Sequence, residues 1–137
     1  FIFHFTVVCV AFSTGLDEYD EVPGGEALIF NKVFLNVGSG YNSLTGIFTS
    51  PSAGIYVFHI HASTKCSHDF WVELFHNNEY VISAFARQNK DFDSAGNTVI
   101  LQLNENDTVC VKAHRQAYLF GQAKEIYATL SGYRIDL

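Results

Sequence analysis

Gly54-Ile55-Tyr56-Val57-Phe58-His59-Ile60-His61-Ala62 decides the fold class. Taken in alternation, one set is Tyr56, Phe58, Ile60 and Ala62, and the other is Val57, His59 and His61. A period of two marks a half-buried strand, whose successive side chains point to opposite faces. Working outward, Phe70 to Phe75 and Tyr80 to Ala86 read as the next two strands. They join at His76-Asn77-Asn78-Glu79, where asparagine tolerates the positive φ of a tight hairpin. Residues 98–103 and 108–113 form another pair around Asn104-Glu105-Asn106-Asp107, and Ile126 to Leu137 reads as the last strand. Phe1 to Phe12 reads as a first strand, because it lacks the basic flank and small-residue cleavage site of a signal peptide. β-branched and aromatic residues number 50 against 40 good helix formers, and no stretch sustains a 3.6-residue apolar period. The expectation is an all-β, closed antiparallel sandwich or jelly roll.

Composition narrows the function. At 137 residues the chain is expected to be one domain, 1–137, with 48% apolar and 16% charged residues, far from a disordered composition. Eight basic against 14 acidic residues give a formal charge of -6, with no basic patch for nucleic acid. No apolar run is long enough for membrane insertion as a spanning helix. The absence of methionine leads us to expect a processed or trimmed chain. Cys9, Cys66 and Cys110 are odd in number and form no CxxC pair, which argues against a zinc knuckle and allows at most one bridge. Valines flank Cys9 and Cys110, as for ordinary strand residues. Asp17 to Gly25 reads as a solvated acidic loop.

Several segments then occur in a telling order. Val10-Ala11-Phe12-Ser13 opens, followed by Phe30-Asn31-Lys32-Val33-Phe34-Leu35-Asn36-Val37-Gly38-Ser39-Gly40-Tyr41-Asn42. Thr45-Gly46-Ile47-Phe48 runs into Pro51-Ser52-Ala53-Gly54-Ile55-Tyr56-Val57-Phe58. Val99 to Leu103 precede Asn106-Asp107-Thr108-Val109, and Leu130-Ser131-Gly132-Tyr133 closes. From about Val10 to Leu137 the chain resembles the globular head domain of the complement C1q family. Asn106 stands for the family's turn glycine and Leu130 for its usual phenylalanine, both tolerable. The resemblance implies a ten-stranded antiparallel jelly roll of the C1q/tumour-necrosis-factor type, in which the first and last strands pair. Phe12, Phe48, Tyr56, Phe58 and Tyr133 are then architectural, with Gly46, Pro51 and Gly54 shaping a bend.

The resemblance further implies a secreted homotrimer. No Gly-X-Y repeat is present, so a stalk is expected to be absent or removed. Stalkless members imply a lectin-like pattern-recognition protein of innate immunity that binds glycans or microbial surface molecules. The alternatives are a receptor-binding signalling ligand and an extracellular protein that binds calcium, zinc or copper. No nucleophile elbow, HExxH or P-loop is present, and an enzyme is not expected.

Binding residues are sought in loops. Arg115, Gln116 and Tyr118 combine planar polar groups with an aromatic ring, and Arg87 with Asn89 offers a second set. An arginine on a sugar carboxylate would make a bidentate charge-assisted pair. Some relatives bind calcium through two aspartates before the Val99 strand. Asp93 falls on one position, with Asp91 close to the other and Arg87 nearby to repel a cation. His59 and His61, on one strand face about 6.6 Å apart, suit zinc or copper if a third ligand such as His76 or His114 arrives. Asn106-Asp107-Thr108 is the one N-glycosylation sequon. Trp71, Glu73 and Phe75 alternate with Val72 and Leu74, so one set lines the core. An exposed Trp-Phe pair would suit a surface covered by a neighbouring subunit.

Overall fold

The computed structural model describes residues 9–65, 68–87, 92–122 and 125–135. Twelve strands follow one another: β1 Ala11–Leu16, β2 Asp20–Val22, β3 Lys32–Val37, β4 Tyr41–Asn42, β5 Ile47–Thr49, β6 Gly54–Lys65, β7 Phe70–His76, β8 Glu79–Ala86, β9 Phe92–Leu103, β10 Thr108–Ala113, β11 Ala117–Leu119 and β12 Ala128–Ile135. Ten make two five-stranded sheets, β3-β1-β12-β6-β9 and β4-β5-β10-β7-β8, and β2 with β11 forms a small ribbon. Every named pairing is antiparallel. This is the expected jelly roll, with two packed sheets in place of a single open one.

Alternation fixes which side of each strand is buried. Tyr56, Phe58, Ile60 and Ala62 point into the core from β6, and Phe70, Val72 and Leu74 meet them from β7. Between the sheets Phe12 stacks on Phe48 at 4.8 Å and on Tyr41 at 5.3 Å, and Phe48 meets Phe58 edge-on at 5.7 Å. Buried aromatic contacts of this kind add to the area term and fix side-chain orientation. The Tyr41 hydroxyl is buried with them, accepting from Phe30 N–H at 3.0 Å and donating to Phe30 O at 2.8 Å. Burial pushes its pKa up to about 12.

The first and last strands pair as expected, with Phe12 opposite Gly132 and Ala11 opposite Tyr133. Tyr133, however, points outward and is exposed. The hairpin turn is built on Asn77 and Asn78, both at positive φ, and Asn106 also takes the left-handed conformation. Gly46 is required on two counts: its φ is +75°, and a Cβ there would collide with the Leu28 carbonyl oxygen. Cys9 and Cys110 are both free thiols, Cys9 exposed and Cys110 on β10 with its pKa raised by burial. Cys66 and residues 1–8, the larger part of the expected first strand, lie outside the described residues.

Candidate functional site

The outward face of the β7, β8 and β10 strands collects the sequence's candidate binding groups. The register sets Trp71 opposite Phe85, Glu73 opposite both Ser83 and Lys112, and Phe75 opposite Tyr80. Trp71 meets Phe85 edge-on at 5.6 Å, and Phe75 meets Tyr80 edge-on at 6.3 Å. One residue past β10, His114 donates its backbone N–H to Trp71 O at 2.9 Å and stacks its ring on the indole at 3.9 Å. Its Nδ1 lies 2.9 Å from Glu73 Oε1. Lys112 Nζ sits 5.1 Å from the Phe75 ring centre, a cation over an aromatic plane.

The charged end of this face lies just beyond the Phe70–Ala86 pair, with Asp69 immediately before Phe70 and Arg87 immediately after Ala86. Arg115 Nη2 donates to Asp69 Oδ2 at 2.8 Å, and its guanidinium carbon lies 5.9 Å from the Trp71 ring centre. Tyr118 of β11 stacks on His68 at 3.9 Å. Consecutive residues His68 and Asp69 therefore anchor Tyr118 and Arg115. The fold brings Arg87 and Arg115, expected in two separate loops, to one end of one sheet. Arg115 stays half exposed, so part of its donor fork is open to a ligand, and Gln116 beside it is exposed. One face of Tyr118 is already occupied by His68, which leaves Phe85 and Tyr80, both exposed, as the open aromatic surfaces. Trp71 Nε1 is buried without a hydrogen-bond partner among the described residues.

The sequence did not single out His68, Asp69, Phe85 or Lys112. Their one signal was alternation in β7 and β8, which placed Phe85 on the face of Trp71. Trp71, Glu73 and Phe75 do form the outward set, with Val72 and Leu74 inside.

A second exposed face belongs to the β3-β1-β12-β6-β9 sheet, and it divides in two. At one end the rows Ile135–Ile55–Gln102 and Val37–Ala11–Tyr133–Val57–Ile100 are mainly apolar. Ile55, Ile100, Tyr133, Ile135 and Val37 are all exposed there. The adjoining rows, Leu35–Ser13–Ser131–His59–Thr98 and Gly15–Thr129–His61–Gly96, are mainly polar or small. His59 Nδ1 lies 2.9 Å from Thr98 Oγ1, and His61 Nδ1 lies 3.0 Å from Tyr127 O.

Of the candidate calcium ligands, Asp93 is exposed and accepts the Ser94 N–H at 2.9 Å. Asp91 and Asn89 lie outside the described residues. The expected third ligands for the histidine pair are engaged elsewhere: His76 Nε2 bonds Asp107 Oδ2 at 2.9 Å and His114 bonds Glu73. Among the described residues no three His, Cys, Asp or Glu side chains are grouped to hold a metal. Asn106 is exposed at the tip of the β9–β10 turn, where its sequon is sterically open.

Comparison with known proteins gives a consistent picture. The sequence profile described as C1q domain matches residues 11–135. Caprin-2 of Danio rerio is 31% identical over 136 residues, 96% of this chain but 15% of the relative's length. The globular domain of zebrafish complement 1qA protein superposes with a TM-score of 0.78 at 22% identity, covering 93% of this chain and 98% of the other. Eiger TNF from S. frugiperda superposes with a TM-score of 0.75 at 13% identity, covering 93% of each chain. Murine APRIL gives a TM-score of 0.72 at 12% identity, covering 93% and 99%. The last three likenesses concern the fold.

Proposed function

The chain belongs to the C1q-domain family, and from that premise we propose that it is a secreted, non-catalytic recognition module that assembles as a homotrimer and binds carboxylate-bearing glycans of microbial or cell surfaces. The observation that carries the reading is the convergence of Arg87 and Arg115 on one end of the aromatic β7–β8–β10 face. A sugar ring needs a flat apolar surface, supplied by Phe85 and Tyr80, and a carboxylate needs a planar donor fork, supplied by Arg115 and Arg87. Asp69 holds Arg115 in place through one nitrogen. In a chain of net charge -6 the two arginines give acidic ligands a local point of attachment.

Self-association is assigned to the apolar half of the other sheet. Five exposed aliphatic and aromatic side chains cluster in two adjoining rows, and a second copy would cover them. Trp71 and Phe75, expected to suit a seam, are partly covered within their own chain by Phe85, His114, Tyr80 and Lys112, which leaves less of them for a neighbouring subunit to bury. Three copies would turn weak single-site binding into avidity on a surface of matching ligand spacing.

The test is a broad glycan array probed with the purified protein, with calcium present and then with chelator. Saturable binding to a related set of acidic glycans is expected. Sensitivity to chelator would assign Asp93, with Asp91, a calcium-dependent part in binding. A blank array from a trimeric protein would refute the glycan reading. Saturable cell binding insensitive to sugars would then favour the receptor-ligand alternative.

A further inference from the structure

We infer that His59 and His61 form a bidentate site for a divalent transition cation of the zinc type, on the polar half of the β3-β1-β12-β6-β9 face and within a single chain. The other histidines among the described residues are in closer contacts, His76 with Asp107, His114 with Glu73 and the Trp71 ring at 3.9 Å, His68 with the Tyr118 ring at 3.9 Å, whereas the His59 ring lies a looser 6.3 Å from the Tyr133 ring. His59 and His61 share one face of β6, are exposed, and enter no ion pair among the described residues. Residues two apart on a strand lie about 6.6 Å apart, a span that two imidazoles can close around one ion at metal–nitrogen distances of about 2 Å.

Hydrogen bonding prepares both rings. The Tyr127 carbonyl can only accept, so His61 donates Nδ1–H to it and carries its lone pair on Nε2. His59 Nδ1 shares a hydrogen bond with the Thr98 hydroxyl, which can accept Nδ1–H and so leave the His59 lone pair on Nε2. An imidazole held at one nitrogen by an oxygen acceptor, with the other nitrogen free, is the arrangement that orients metal-binding histidines and makes them more basic. The flanking positions are small: Thr98 and Ser131 beside His59, Gly96 and Thr129 beside His61. A Cβ at Gly96 would come within 3.3 Å of His61 Cδ2, so glycine leaves that ring its room. Two protein nitrogens leave the remaining coordination positions to water or to an exogenous ligand. The chelate lies beside the apolar rows that carry self-association, and it rests on neither that assignment nor the glycan reading.

Isothermal titration of the whole protein with zinc chloride in a non-chelating buffer tests the site. One zinc per chain is expected. His59→Ala and His61→Ala should each weaken binding at least about tenfold, and Thr98→Val, which acts by positioning His59, roughly tenfold. His114→Ala should leave the affinity unchanged. Unaltered Trp71 fluorescence and thermal midpoint would confirm that the His59, His61 and Thr98 variants are folded, and the thermal midpoint alone serves for His114→Ala, whose ring stacks on Trp71. Absence of saturable binding, one zinc per three chains, or single histidine variants that bind as well as the parent would each overturn the inference.

Discussion

Replacing Ile100 with serine is predicted to break up the assembly without unfolding the chain. Ile100 is 61% exposed at the β9 end of the apolar row, on the edge strand opposite Val57. Full burial of an isoleucine is worth about 1.5–3 kcal/mol, so covering the exposed fraction contributes about 0.9–1.8 kcal/mol per copy. Over three copies that is about 3–5 kcal/mol, or roughly two to four powers of ten in the trimer dissociation constant. The half-assembly concentration of a trimer varies as the square root of that constant, so it should rise about tenfold to a hundredfold. Sedimentation velocity over a concentration series reads this shift directly, with Phe85→Ser on the other sheet as the matched control. The reasoning is refuted if Ile100→Ser sediments as the parent while Phe85→Ser loses mass, because the seam would then lie on the β7–β8–β10 face.

Three further outcomes are expected. Phe48→Ala removes the ring against which Phe12, Tyr56 and Phe58 all pack, and chemical denaturation should show a loss of about 3–5 kcal/mol. Hydrogen bonds from the Asn77 amide, the His76 ring and the Asn104 N–H hold the Asp107 carboxyl down at about 2. Because the folded pKa is the lower one, its stabilisation is present above about pH 4 and lost as pH falls towards 2; acid melting profiles of Asp107→Asn should lack that part of the fall. Gly46→Ala should lower the thermal midpoint more than an alanine at exposed Gly25, which also has positive φ but has nothing within 4 Å of an added Cβ.

Much of the fold was legible because alternation and turn chemistry act locally. The β6 stretch announces its period in nine residues, and Asn77, Asn78 and Asn106 announce turns that the structure realises at positive φ. The β9 strand shows where locality ends. It begins at Phe92, six residues before the apolar run, through Asp93, Ser94, Gly96 and Asn97, which are poor strand formers. Twelve residues of β6 pair along its whole length and override that preference. The candidate site was half legible for the same reason. Arg115, Tyr118 and Arg87 could be named from residue type, but Asp69 lies 46 positions from Arg115, and no local pattern couples them. The outward position of Tyr133 was hidden by its place in an architectural motif, although alternation on β12 turns it away from buried Leu130 and Gly132.

Dissociation of the protein from immobilised acidic glycans, measured at low and high ligand density, tests the proposed multivalent recognition most directly. The account predicts slow dissociation at high density alone, and its loss in the Arg87→Ala, Arg115→Ala double variant with the trimer mass retained. Dissociation that is independent of density, or unchanged in the double variant, would contradict it.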